Sequence, residues 1–204
     1  MRTDIKAIAW DFDGVLNRNV VDGRFVWSDT IEEDLGIPAR EFQEGVFDSR
    51  FIDVIAGKRD LLEHVQCWLD LNDCGIDAGA VLEYWFIKDD LSDPLTGGIM
   101  DRLNELGMKQ VIATNNEHRR AAYIENKAGY GSRVSSVFAA GRMGLVKPAP
   151  EFFVHVSEAL RLPPQSILLI DDSAANTRAA DALGWDTFHF TDESREHLAP
   201  YLGL

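Results

Sequence analysis

The stretch Ile5-Lys6-Ala7-Ile8-Ala9-Trp10-Asp11-Phe12-Asp13-Gly14 decides the fold. A mostly apolar run over residues 5–10 ends on two carboxylates one residue apart. A short apolar run of this kind reads as a buried strand. Side chains two apart on a strand share a face, so Phe12 can enter the core while Asp11 and Asp13 look into one cleft. Gly14 permits a sharp exit and a close approach of backbone to ligand. Three further apolar runs end similarly. Residues 111–113 lead into Thr114-Asn115-Asn116, residues 136–140 precede Lys147-Pro148, and residues 167–170 lead into Asp171-Asp172-Ser173. Open parallel sheets bind ligands outside the carboxyl ends of their strands, so these segments are expected to converge on one crevice. Carboxylates, a lysine and a hydroxyl meeting there suit a divalent metal and a phosphoryl group.

From residue 95 onward, strand and helix alternate. Helices are expected over 95–106, 117–128, 150–160, 174–183 and 193–201, with strands over 109–114, 136–140, 166–171 and 187–190. Such alternation predicts a parallel sheet covered on both faces. Residues 17–90 break the rhythm with amphipathic helical runs over 28–35, 39–56, 59–71 and 78–91, and Ser28 and Asp77 read as N-caps. The expected organisation is a core of residues 1–16 and 91–204 and a helical cap of residues 17–90 above the carboxyl edge.

The chain has 204 residues, is 46% hydrophobic, and carries a net charge of −14 from 20 Lys+Arg against 34 Asp+Glu. That length supports one good core, or a core with a modest insertion. The acidic balance argues against nucleic-acid and anionic-membrane partners, and requires any phosphate site to be made positive locally. No stretch has the roughly 20 apolar residues of a membrane span. Met1-Arg2-Thr3-Asp4 lacks the pattern of a leader peptide. Cys67 and Cys74 read as reduced thiols of a cytoplasmic protein.

Each motif also has a plain structural reading. Asp172 and Ser173 suit a helix start, as do Thr114 and Asn115, and Lys147 suits an ordinary surface. In the chemical reading, one carboxylate of Asp11-Phe12-Asp13 attacks phosphorus while the other donates a proton and later deprotonates water. The carboxylates of Asp171-Asp172, adjacent at a buried strand end, call for a cation.

The order Asp-x-Asp, Thr-Asn, Lys-Pro, Asp-Asp resembles the haloacid dehalogenase (HAD) superfamily, most closely its helical-cap (C1-type) phosphatases. The resemblance covers residues 5–16 and 91–192 as core and about 17–90 as cap. It implies a Rossmann-like three-layer α/β sandwich with a parallel sheet and an inserted all-helical cap. It also implies Asp11 as nucleophile, Asp13 as acid/base, Thr114 and Asn115 as phosphate ligands, and Lys147 as the phosphate-neutralising lysine. Mg²⁺ is then held by Asp11, the backbone carbonyl of Asp13 and Asp172, with Asp171 behind them. Asp171-Asp172-Ser173-Ala174-Ala175-Asn176 is similar to the Asp-Asp-x-x-x-Asn form of sugar-phosphate phosphatases and of the phosphatase domain of soluble epoxide hydrolases. One departure is Val15, where the family pattern has threonine, a loss expected to loosen the support of Asp13. Asp13 itself points to phosphate-ester cleavage, since a halide leaving group needs no proton. The cap lacks an obvious lysine for Schiff-base chemistry.

The implied function is Mg-dependent hydrolysis of a small phosphorylated metabolite, a sugar phosphate or nucleotide, through an aspartyl-phosphate, by a monomer or homodimer. A phosphosugar mutase of the same superfamily and a receiver-like phospho-acceptor module are alternatives. Leaving-group contacts are expected among Arg18, Phe25, Trp27, Phe47, Arg50, Phe51, Lys58, Arg59 and His118.

Overall fold

The computed structural model describes residues 3–21 and 24–204. Met1 and Arg2, on which the leader reading partly rested, lie outside them. A five-stranded parallel sheet forms the centre, in the spatial order β5 (Val137–Ala139), β4 (Lys109–Thr114), β1 (Ala7–Trp10), β6 (Ile167–Asp171), β7 (Asp186–His189). The chain runs outward from β1 through β4 to β5, then returns across β1 to β6. The order therefore reverses beside β1, where open α/β sheets form their crevice.

Alternation along the strands builds two hydrophobic layers. Ile8 and Trp10 join Ile112, Leu168 and Ile170 on one face, packed by α6 (Pro94–Glu105), α7 (His118–Asn126) and α11 (Leu198–Leu202). Ala9, Val111, Ala113 and Leu169 face the other way, against α9 (Pro150–Leu160) and α10 (Ala174–Ala182). A short helix, α8 (Ala140–Met143), follows β5. This is the expected three-layer sandwich.

The insertion carries α1 (Ile31–Leu35), α2 (Ala39–Val46), α3 (Phe51–Ile55), α4 (Leu61–Leu71) and α5 (Ala78–Lys88). It owns a separate hydrophobic cluster. Leu61, Val65 and Leu69 recur every fourth residue on α4 and turn inward against Phe42, Val81 and Leu82, while Trp27 stacks on Trp85 at 4.7 Å. A fully buried side chain such as Phe42 or Leu69 contributes roughly 1.5–3 kcal/mol. Asp60 caps α4 and Asp77 caps α5, each accepting backbone N–H groups of the first turn.

Within the insertion, the structure differs from the sequence reading at three places; in the core, the helix expected over 193–201 is a 3₁₀ turn over Arg195–His197 followed by α11. The run 39–56 is two helices, because the Asp48 carboxylate bonds the N–H and side chain of Arg50 and offers the backbone a local alternative to helix. Ser28 caps nothing; it is buried in a 3₁₀ turn over Trp27–Thr30 and accepts from Gln43. The helical block also gains a small hairpin, β2 (Val20–Val21) with β3 (Arg24–Phe25), whose residues lack the buried run that marks a strand in sequence.

Core and insertion are joined by two segments lying side by side. Arg18 N–H donates to Leu91 O and Asp93 N–H to Leu16 O, while Asn17 grips Asp89 O and Leu91 N–H with its carboxamide. Across the seam, Gly57 meets Gly141 so closely that a Cβ at Gly57 would lie 2.2 Å from the Gly141 carbonyl oxygen. Asp60 pairs with Arg119 of α7 at 2.8 Å. Among the described residues, no helix is long and apolar enough to cross a membrane, and Cys67 and Cys74 are free thiols.

Candidate active site

The three central strands bring their carboxyl ends together. Asp11 follows β1, Thr114 ends β4 and Asp171 ends β6, with Asp11 N–H bonded to Ile170 O at 2.8 Å. Lys147 arrives from the segment after α8, its ammonium fully buried, 2.6 Å from Asp171 and 3.0 Å from Asp11. Asn115 fixes that lysine. Its carboxamide accepts from Lys147 N–H and donates to Lys147 O, both at 2.8 Å. The Asn115 carboxamide thus spends its oxygen and one N–H on the backbone of Lys147, which leaves its second N–H. Thr114 is buried, with its hydroxyl accepting from Asn116.

Asp11, Asp171 and Asp172 each offer a carboxylate oxygen within 4.8 Å of the others. Their occupancy differs. Asp171 has both oxygens filled by Lys147, Asn176 and Ser173 N–H. Asp172 has no side-chain donor among the described residues, and its Oδ2 lies against Gly14. A Cβ there would come within 2.3 Å of that oxygen, and Gly14 has φ +77°, so glycine is required on both counts.

The electrostatics are those of a site short of positive charge. Burial, then Asp171, push the Asp11 carboxyl well above the usual carboxylate range against the pull of Lys147. Burial and Asp171 likewise push Asp172 up to about 6. Burial opposes the charge on Lys147, but Asp11 and Asp171 overcome it and hold the ammonium protonated above its ordinary value. Three carboxylates against one ammonium leave an excess that a divalent cation with oxygen ligands would neutralise. The donor set fits Mg²⁺.

Asp13 stands apart from that cluster, held by carboxamides. Asn19 donates to its Oδ1 at 2.7 Å, Asn17 to the same oxygen at 3.3 Å, and Asn116 to its Oδ2 at 2.9 Å. The support expected from a threonine at position 15 is thus supplied from elsewhere, while Val15 is buried in the core. Asn19 also donates to Asp89, which forms a buried pair with Arg120 at 2.7 Å. Burial and the charge of Asp13 raise Asp89 to about 7.

Above Asp13 lies a cavity of about 210 Å³ between insertion and core. Of the expected leaving-group contacts, Phe25, Phe47 and Phe51 line it. The others do not. Trp27 stacks behind Trp85, Arg50 pairs with Asp48, Lys58 with Asp53, Arg59 approaches His64, and His118 sits at the seam beside Asp60 and Glu117. Arg18 lines a separate cleft with Gly14 and Asp172. Sequence reasoning missed Trp85, Asp89 and Arg120, and it missed Asn17 and Asn19 as supports of Asp13. Asn116 and Asn176 stood inside the quoted motifs without a role.

A family model described as haloacid dehalogenase-like hydrolase matches residues 5–184. The chain belongs to that family. Among curated relatives, it is 26% identical to a phosphoglycolate phosphatase of Neisseria gonorrhoeae over 191 residues, covering 88% of this chain and 77% of that protein. It is 23% identical to the bifunctional epoxide hydrolase 2 of Rattus norvegicus over 210 residues, which is 92% of this chain but only 37% of that longer protein. The fold superposes on a HAD family enzyme of Bacteroides thetaiotaomicron, crystallised with magnesium and inorganic phosphate, with TM-score 0.74 and 18% identity over 92% of this chain and 94% of that one. It also superposes on the L-2-haloacid dehalogenase of Xanthobacter autotrophicus, with TM-score 0.66 and 16% identity over 97% and 83% of the two chains. Family membership makes the protein a HAD-like hydrolase and sets the receiver-like reading aside.

Proposed function

We propose that this hydrolase is a Mg²⁺-dependent phosphatase acting on the phosphate monoester of a small metabolite through an aspartyl-phosphate on Asp11. The observation that carries the reading is Asp13, a carboxylate gripped by three carboxamides, two residues beyond Asp11, in the wall of the cavity. A displaced alkoxide needs a proton, whereas a displaced halide does not. Residues 17–90 act as the cap that closes over the reaction.

An oxygen of the Asp11 carboxylate attacks phosphorus, and the bond from phosphorus to the leaving oxygen breaks. Asp13 transfers its proton to that oxygen. Water then attacks the phosphorus of the aspartyl-phosphate, Asp13 takes the water's proton, and inorganic phosphate leaves with Asp11 regenerated. Lys147 and the Thr114 hydroxyl meet the charge on the phosphoryl oxygens. Mg²⁺, held by Asp11, Asp172 and the Asp13 carbonyl, would supply further charge stabilisation at those oxygens. Asp171, saturated by Lys147, Asn176 and Ser173, orients the lysine rather than binding the ion. The phosphoglycolate phosphatase relative and the phosphate-bound neighbour support the reading.

The test is phosphate release from a panel of monoesters with Mg²⁺ and with chelator. Mg²⁺-dependent release is expected; turnover of haloacids in place of phosphate esters would overturn the proposal.

A further inference from the structure

The cap cavity narrows the substrate. Its upper wall is Phe25, Phe47, Phe51, Ile55, Leu61 and Trp85, without one charged or hydroxyl-bearing side chain among them. Its volume of about 210 Å³ equals on the order of seven water molecules of liquid. The charged groups are Asp13, Glu117 and Arg120 of the core and Asp89 at the end of α5, and each is already engaged. The Arg120 guanidinium bonds Phe86 O and both an oxygen of the carboxylate and the carbonyl of Asp89, and lies over the rings of Phe12, Phe86 and Tyr123. Glu117 spends its carboxylate on the N–H groups of Arg119 and Arg120 at the start of α7. Asp89 is shared between Arg120 and Asn19. An anionic leaving group would therefore meet three carboxylates and, among the described residues that line the cavity, no cation free to pair with it, at the full cost of a desolvated charge. The aromatic wall offers one open donor, the buried Trp85 Nε1–H, which has no partner among the described residues. A single hydroxyl can use it, but the several hydroxyls of a sugar would lose their water with too few partners to replace it.

A larger cleft of about 410 Å³ opens on the other side, lined by Arg18, Asp172, Asp192, Glu193 and Arg195. It is polar, but Asp13 is not in its wall. A leaving group must touch the group that protonates it, so the leaving group belongs on the Asp13 side.

Resting on the phosphatase reading, we infer that the preferred substrate is the phosphate ester of an uncharged, apolar alcohol, aryl-substituted or branched alkyl, seated among Phe47, Phe51 and Trp85. This departs from the sugar phosphates and nucleotides expected from sequence. Esters of alkyl alcohols compare the leaving groups fairly, since all need protonation. Benzyl and isopentyl phosphate are measured beside phosphoglycolate, glucose phosphate and phosphocholine, with Mg²⁺. The apolar esters should lead in kcat/KM by about ten- to a hundredfold. Phe47→Asn and Phe51→Asn should each shrink that lead about tenfold, mainly through KM, while Phe51→Leu keeps it; thermal melts show whether the asparagine variants are folded. Phosphoglycolate, glucose phosphate or phosphocholine as the best substrate overturns the inference and leaves the phosphatase reading intact. No Mg²⁺-dependent release from any ester overturns that reading, and the inference with it.

Discussion

The floor and the roof of the site are built on opposite terms. On the floor, Asp11, Lys147 and Asp171 are buried charges held by one another at hydrogen-bond distance. On the roof, Phe25, Phe47, Phe51 and Trp85 come from separate segments and contribute shape and apolar surface. In the proposed reaction the floor positions atoms that make and break bonds, which demands fixed charges in fixed places. The roof would select what is attached to the phosphate on the proposed reading, and a site can do that with packing alone. On the proposed reading, chemistry is concentrated in a few residues and selectivity is spread over many.

Substitutions should expose that contrast. Asp11→Asn removes the carboxylate proposed to attack phosphorus and should lower kcat by on the order of 10⁴-fold or more on every ester in a phosphate-release assay. Asp13→Asn should lower kcat by about 10²–10⁴-fold on alkyl phosphates and far less on aryl phosphates, whose leaving group needs little protonation. Equal losses on both would remove its acid role. Asp171→Ala strips Lys147 of its shortest partner while Asp11 remains, so the loss in unfolding free energy should lie near the low end of about 3–5 kcal/mol in urea denaturation. A change below about 1 kcal/mol, the range of surface pairs, would mean that the floor is not the tightly coupled buried array described above.

The smallest effect expected is one of pH on metal-free stability. Asp172 binds its proton up to about pH 6 in the folded chain, against an ordinary value of 3.8. Between those values the folded state holds more protons than the unfolded one, so stability falls as pH rises. Mg²⁺ requires the carboxylates ionised and stabilises what it binds. The rise in Tm on adding Mg²⁺ should be larger at pH 7.5 than at pH 5, and an equal rise at both would contradict the charge excess assigned to the floor.

The floor was legible in the sequence because each of its members ends a short apolar run or lies just after one, so the strand pattern and the topology rule together placed Asp11, Thr114, Lys147 and Asp171-Asp172 on one edge. Asn115 was legible as a site residue, yet its grip on the backbone of Lys147 depends on two loops meeting, which no local pattern records. The three carboxamides around Asp13 were hidden for the same reason: Asn17 and Asn19 lie beyond the motif, and Asn116 is brought in by β4. Trp85 and Arg120 looked like ordinary residues of amphipathic helices. Their place in the cavity follows from how the insertion lies on the core, fixed by contacts such as Gly57 on Gly141 and Asp60 with Arg119. The break at Phe47–Arg50 was equally silent, because the inward turn of Phe47 answers to Trp27, Phe51 and Trp85 as well as to Phe42 on α2.

The most direct test is to mix the Asp13→Asn protein with Mg²⁺ and an aryl phosphate, quench in acid during turnover, and map the peptides by mass spectrometry. A phosphoryl group on Asp11 is the predicted result. An unmodified Asp11 in a preparation that is releasing phosphate, or a phosphoryl group on another residue, would contradict the account.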